Sequence, residues 1–135
     1  MINQTDIAYA AGVFDGEGSI YIANIKRYKQ LKVQMCNTNE QLINWFKEKF
    51  GGIVNGPYTR KHLQKKPQWE WSISVSRGAE IFLRLIKDYC IEKKEKCQEG
   101  IDFCEKYKPR ASVIKDPARE IRLLKHKLYH YKKQK

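Results

Sequence analysis

Two stretches of this 135-residue chain alternate apolar and polar side chains with a period of two, a pattern that fits strands buried on one face only. In "QLKVQMC" Leu31, Val33 and Met35 alternate with Gln30, Lys32 and Gln34; in "WEWSISVS" Trp69, Trp71, Ile73 and Val75 alternate with Glu70, Ser72, Ser74 and Ser76. A serine row cannot be core, so Trp69 and Trp71 belong inside and the serines outside. Each stretch follows a β-rich partner: Ser19 to Ile25 across the polar turn "KRYK", and 53–60 ahead of a strand at 68–76. The result is two hairpins, each with one apolar and one polar face.

Helical patterns separate the hairpins. Residues 5–15 read as a short helix with Thr5 or Asp6 as N-cap, stopped by glycines at 16 and 18 that can take left-handed conformations. Tyr9, Val13, Ala10 and Phe14 carry its bulk. Ala8, Ala11, Gly12 and Asp15 form a side without bulk, which another backbone can approach closely. "TNEQ" opens a second helix with Thr38 and Gln41 at capping-box spacing, Leu42, Ile43, Phe46 and Phe50 as its stripe, and Gly51-Gly52 as its end. Ser76 is placed to cap a helix over 78–90 with Ile81, Phe82, Leu85, Ile86 and Tyr89 inward, and a helix over 93–107 carries Cys97, Ile101 and Cys104. Beyond Pro109, Asp116-Pro117 starts a last helix whose stripe is Ile121, Leu124, Leu128 and Tyr131. One α+β domain is expected, with its core over about residues 5–107 and a basic helical extension over 108–135.

Charge points to the partner class. The chain has 27 Lys plus Arg against 15 Asp plus Glu, a net +12, and the excess gathers in residues 101–135, with eleven basic and four acidic side chains. Such basicity favours polyanions, nucleic acid first. Cysteines 36, 90, 97 and 104 form no C-x-x-C pair, and the last three recur every seven residues along one helical face. They read as buried thiols of a reducing compartment, not zinc ligands. His126 and His130 on the last helix make a poor zinc site, and His62 reads as a loop or groove residue. No apolar run approaches the ~18 residues of a membrane span, and the first residues lack a signal-peptide pattern, so an intracellular protein is expected. Its lysine bias also fits an AT-rich coding genome, and a gene carried by a chloroplast or mitochondrion is admitted separately.

The first helix ends against expectation. Asp15 and Glu17 gather where the helix dipole is already negative, an arrangement that calls for a nearby cation or a functional reason. Hard oxygen ligands on a glycine-flanked turn suit Mg²⁺, though two solvated acids on a capping turn would read the same way.

The whole run Ala10-Ala11-Gly12-Val13-Phe14-Asp15-Gly16-Glu17-Gly18 resembles the signature of the LAGLIDADG homing endonucleases, with Ala10 in place of leucine, Phe14 in place of isoleucine, Gly16 in place of alanine and Glu17 in place of the second aspartate. The order of elements is similar too. The resemblance implies an αββαββα fold with a four-stranded, saddle-shaped antiparallel sheet that binds DNA. It implies a metal-dependent, staggered double-strand cut in a long pseudo-palindromic target, by an enzyme that is often intron-encoded. Since one motif is present, it also implies a homodimer joined through Ala8, Ala11, Gly12 and Asp15. Carried over by position, Glu17 is the catalytic metal ligand and the Gly16 carbonyl a second one, for Mg²⁺, with Mn²⁺ as a substitute and Ca²⁺ binding without supporting cleavage. Lys93, or Lys94 if the alignment slips by one, matches the basic residue near the scissile phosphate. Asn37 matches the residue that positions water, or is a turn residue.

The polar sheet faces then supply the DNA readers: Tyr21, Arg27, Gln30, Lys32, Gln34, Tyr58, Arg60, His62, Glu70, Ser72 and Ser74. Arg27, Lys32 and Arg60 suit guanine edges, and Gln30 and Gln34 suit adenine. Lys61, Lys65, Lys66, Lys93, Lys94 and the tail lysines Lys125, Lys127, Lys132 and Lys133 suit phosphates. A non-catalytic binder of the same fold, an RNA maturase or a transcriptional regulator, is the alternative.

Overall fold

The computed structural model describes residues 2–26, 28–59 and 66–107. The chain runs α1 (Gln4–Glu17), β1 (Gly18–Ile25), β2 (Tyr28–Asn37), α2 (Glu40–Phe50), β3 (Ile53–Tyr58), β4 (Gln68–Ile73), α3 (Ser76–Ile86), a short 3-10 turn (Lys87–Tyr89) and α4 (Lys94–Lys106). The sequence-based αββαββα order is thus present in an α+β fold. The four strands form one antiparallel sheet in the order β1-β2-β4-β3. The second strands of both hairpins, where the alternation is strictest, lie in the middle. The strand at 53–60 stops at Tyr58, and that at 68–76 stops at Ile73.

Pairing puts Tyr21 opposite Lys32, Ser19 opposite Gln34, Gln34 opposite Ser72 and Cys36 opposite Glu70, all on one face. The other face carries Leu31, Val33, Met35, Trp71 and Ile73, all buried. Helices α1 to α4 cover it. Trp71 sits at the centre of an aromatic cluster with Phe46 and Phe82, both at 5.1 Å between ring centroids. Its indole N–H donates to the Gly51 carbonyl at 2.8 Å, so the one polar group of this fully buried side chain closes the end of α2.

The caps fall elsewhere than the local patterns indicated. Asn3, not Thr5 or Asp6, caps α1: its Oδ1 accepts the Asp6 N–H at 2.8 Å and Asp6 Oδ2 accepts the Asn3 N–H at 3.2 Å. Helix α2 starts one residue later than the Thr38 box would set it, with Asn39 Oδ1 accepting the Leu42 N–H at 3.1 Å. Val75 precedes α3, and the Ser76 hydroxyl instead accepts the Leu31 N–H at 3.0 Å, tying the start of α3 to β2.

Glycine ends α1, but not by a left-handed turn: Gly18 is extended, with φ −85° and ψ 166°. It is required because a Cβ there would lie 2.3 Å from the Phe14 ring. The strand therefore begins on the residue after the helix ends. Gly52 meets both demands at once, with φ 89° and a Cβ position 2.4 Å from the Ser72 carbonyl oxygen.

Candidate nucleic-acid interface and acidic helix end

On α1, Ile7, Ala10, Ala11 and Phe14 face the core and are fully buried. This corrects two expectations. Ala11 is not on the open side, because the segment after α3 fills that space: the Cys90 thiol packs 3.9 Å from the Ala11 carbonyl oxygen. Tyr9 is on the open side, 51% exposed, with its ring edge-on to Trp45 at 5.1 Å. The stripe without bulk is Gly12 and Gly16, both exposed, with Ala8 half-buried beside it. A Cβ at Gly12 or Gly16 would meet nothing within 4 Å.

The two acids separate sharply. Asp15 turns inward and accepts three backbone N–H groups: Ile91 and Glu92 on Oδ2, each at 3.0 Å, and Lys93 on Oδ1 at 2.8 Å. Those donors precede α4, which lacks a cap from its own flank. Asp15 fills that role from a helix 76–78 residues away in the chain. Lys93 completes the clasp: its Nζ donates to the Asp15 carbonyl oxygen at 2.6 Å, at the negative end of α1, and to Glu92 Oε2 at 3.1 Å. Partial burial pushes the Asp15 carboxyl up, but the N–H groups of Glu92, Lys93 and Ile91 and the Lys93 ammonium outweigh it and hold the group below the usual carboxylate range. Asp15 is thus a clasp within the chain.

Glu17 points the other way. It is exposed, as is Gly16, at the junction of α1 with edge strand β1. One carboxylate on an open surface suits a shared Mg²⁺ site, since that ion takes one or two carboxylates, waters and phosphate oxygens. It does not suit a cage built by one chain: among the described residues no group of three His, Cys, Asp or Glu side chains could hold a metal.

The polar sheet face is more interlocked than its sequence suggests. Tyr21 donates its hydroxyl proton to Gln34 Oε1 at 3.2 Å, and Lys32 Nζ stands 5.8 Å from the centre of the Tyr21 ring. Gln30 is committed, since its amide N–H donates to the Ser74 carbonyl oxygen beyond the end of β4. Ser72 is not open to a ligand, being 1% exposed between Gln34 and Ile53, with a hydroxyl that finds no protein partner. Asn37 pairs with Trp69, on the face opposite Glu70, and its Oδ1 accepts the Asn39 N–H at 2.8 Å. That contact fits the turn role. Glu70 and Ser74 are half-buried, while Tyr58, Lys66 and Lys94 are exposed. Arg27, Arg60, Lys61, His62, Lys65 and the helix over 116–131 lie outside the described residues.

The architecture has close counterparts among solved structures. I-CvuI, a homing endonuclease crystallised with the I-CreI target and Mg, superimposes with a TM-score of 0.62 at 16% identity, covering 76% of this chain and 68% of that one. The archaeal intron-encoded I-Vdi141I, complexed with DNA, gives 0.59 at 17% identity over 75% and 67%. The LAGLIDADG meganuclease I-AabMI, bound to uncleaved DNA, gives 0.61 at 20% identity over 92% and 44%.

The chain has the LAGLIDADG homing-endonuclease fold.

Within that fold the present chain spans less than half of I-AabMI. No protein-family model matches the sequence, and no curated protein matches it either. Among the described residues of this LAGLIDADG-fold chain, no helix is long and apolar enough to cross a membrane.

Proposed function

We propose that this protein is a site-specific, intron-encoded DNA endonuclease that works as a homodimer with a divalent metal. The observation that carries the proposal is the end of α1, where an exposed glutamate, Glu17, sits beside a glycine stripe open to a second backbone. Two copies joined along that stripe bring two Glu17 carboxylates together. The Glu17 carboxylates and the Gly16 carbonyls would hold the metal, Mg²⁺ or Mn²⁺ for cleavage and Ca²⁺ for binding alone. When bound, the metal activates water and neutralises charge on the leaving oxygen.

The other groups act around that centre. Lys93, clasped by Asp15, holds positive charge at a fixed distance from the helix end, and Lys94 stands exposed beside it. Tyr21, Lys32, Gln34 and Glu70 line the face that receives the major groove, with Lys66 toward phosphate. The three solved relatives cited above each carry DNA, which supports double-stranded DNA as the partner of this chain.

The test is cleavage of a randomised DNA library with Mg²⁺ by the protein and by its Glu17→Gln variant, followed by sequencing of the ends. Defined, staggered ends from the unmodified protein alone are expected. Identical ends from both proteins would remove Glu17 from the chemistry, and binding without ends from either would reduce the protein to a binder.

A further inference from the structure

The Tyr21–Gln34 contact carries an inference about which base this protein reads, and it rests on the DNA-reading role proposed above. A glutamine amide offers one acceptor oxygen and an NH₂ with two donors. Left free, it presents both ends and matches adenine, which shows an N7 acceptor beside an N6 donor in the major groove. Gln34 is not free. Its oxygen is held from the protein side by the Tyr21 hydroxyl at 3.2 Å, on the diagonal between β1 and β2. Among the described residues the amide nitrogen has no protein partner.

The neighbours reinforce that polarity. Lys32, directly across from Tyr21, adds three donors and no acceptor next to the amide. Ser72, across from Gln34 on the other side, is too buried at 1% exposure to offer its oxygen to a base. The N–H groups of Gln34 and Lys32 therefore lead the outward surface at this point, and the exposed Ser19 hydroxyl, across from Gln34, can donate alongside them or accept. Guanine, with N7 and O6 both acceptors, satisfies two donors at once; thymine offers the single acceptor O4 beside a methyl, adenine sets an N6 donor against the NH₂, and cytosine presents a donor alone.

We propose that Tyr21 is a specificity-positioning residue: by occupying the oxygen of Gln34 it turns that glutamine from an adenine reader into a guanine reader.

The experiment is enrichment of bound duplexes from a randomised library with Ca²⁺, using the full chain, its Gln34→Ala variant and its Tyr21→Phe variant. Gln34→Ala identifies the base position, as the one whose preference vanishes. The unmodified protein is expected to hold guanine there, and Tyr21→Phe, which removes one hydroxyl from a partly exposed ring, to shift the guanine-to-adenine ratio about tenfold toward adenine while other positions keep theirs. Adenine, cytosine or thymine at that position in the unmodified protein, an unchanged ratio in Tyr21→Phe, or no position answering to Gln34→Ala overturns the proposal while sequence-specific binding stands. Enrichment of no sequence by the unmodified protein overturns the DNA-reading role itself, and this inference with it.

Discussion

Asp15 and Lys93 grip each other twice: the Lys93 backbone N–H donates to the Asp15 carboxylate at 2.8 Å, and the Lys93 Nζ donates to the Asp15 carbonyl oxygen at 2.6 Å. The first acid of the motif thus fastens α1 to the start of α4, and the second is left free for a ligand.

Replacing Asp15 with Asn removes the charge from a three-donor cap. A cost of about 1 kcal/mol in unfolding free energy is expected, the usual scale for a lost cap, read as a lower urea midpoint at unchanged slope. An unchanged midpoint would show that the three contacts contribute nothing net.

The same pair sets an acid limit. Because the folded-state carboxyl titrates below its ordinary range, its stabilisation is complete above about pH 4 and is lost as pH falls through the lowered value. The difference in midpoint between the unmodified protein and Asp15→Asn should stay constant from about pH 7 to pH 5 and shrink on acidification below about pH 4. A difference that grew on acidification would reverse the assigned sign.

Gly18 and Gly12 should respond oppositely to added carbon. Gly18→Ala drives a methyl into the Phe14 ring, itself packed edge-on to Phe82, and should cost about 1–3 kcal/mol in thermal unfolding. At Gly12 an added Cβ meets nothing within 4 Å, so in Gly12→Leu the monomer should melt normally while self-association, followed by sedimentation, is lost. Normal association of the leucine variant would exclude this stripe as the interface.

Two Glu17 carboxylates about 4 Å apart in a dimer would repel by about 4 kcal/mol at an effective dielectric of about 20. Dimer affinity should therefore rise with Mg²⁺ or Ca²⁺ relative to EDTA, and the gain should disappear in Glu17→Gln. Equal affinity in metal and EDTA would mean that the acids do not share a site.

The Cys97 and Cys104 thiols should be silent in the folded protein. Cys97 donates to Cys90 and is fully buried, both of which push its thiol far up, and burial pushes Cys104 up to about 12. Pulsed maleimide labelling should modify half-buried Cys36 first and reach Cys97 and Cys104 only at the rate of unfolding. Prompt labelling of all four would mean that α4 opens locally.

The strands were legible because alternation is a local signal that survives any tertiary setting: Leu31, Val33, Met35, Trp71 and Ile73 all face inward as read. The inner stripe of α1 was legible only in part, in Ala10 and Phe14; Ile7 and Ala11 complete it, and bulky Tyr9 lies outside it. Asp15 could not have been read locally. Its partners lie 76–78 residues away, and no pattern around position 15 announces them. Gln30, Gln34, Asn37 and Ser72 look alike in sequence as polar strand residues. Only the register decides that one bonds a carbonyl, one a tyrosine, one its own turn, and that one is walled in.

No residue intervenes between the last turn of α1 and the first pairing of β1. The backbone at that seam has no linker to flex and moves with the helix and the sheet together, so any adjustment in the reach of Glu17 falls to its own side-chain torsions.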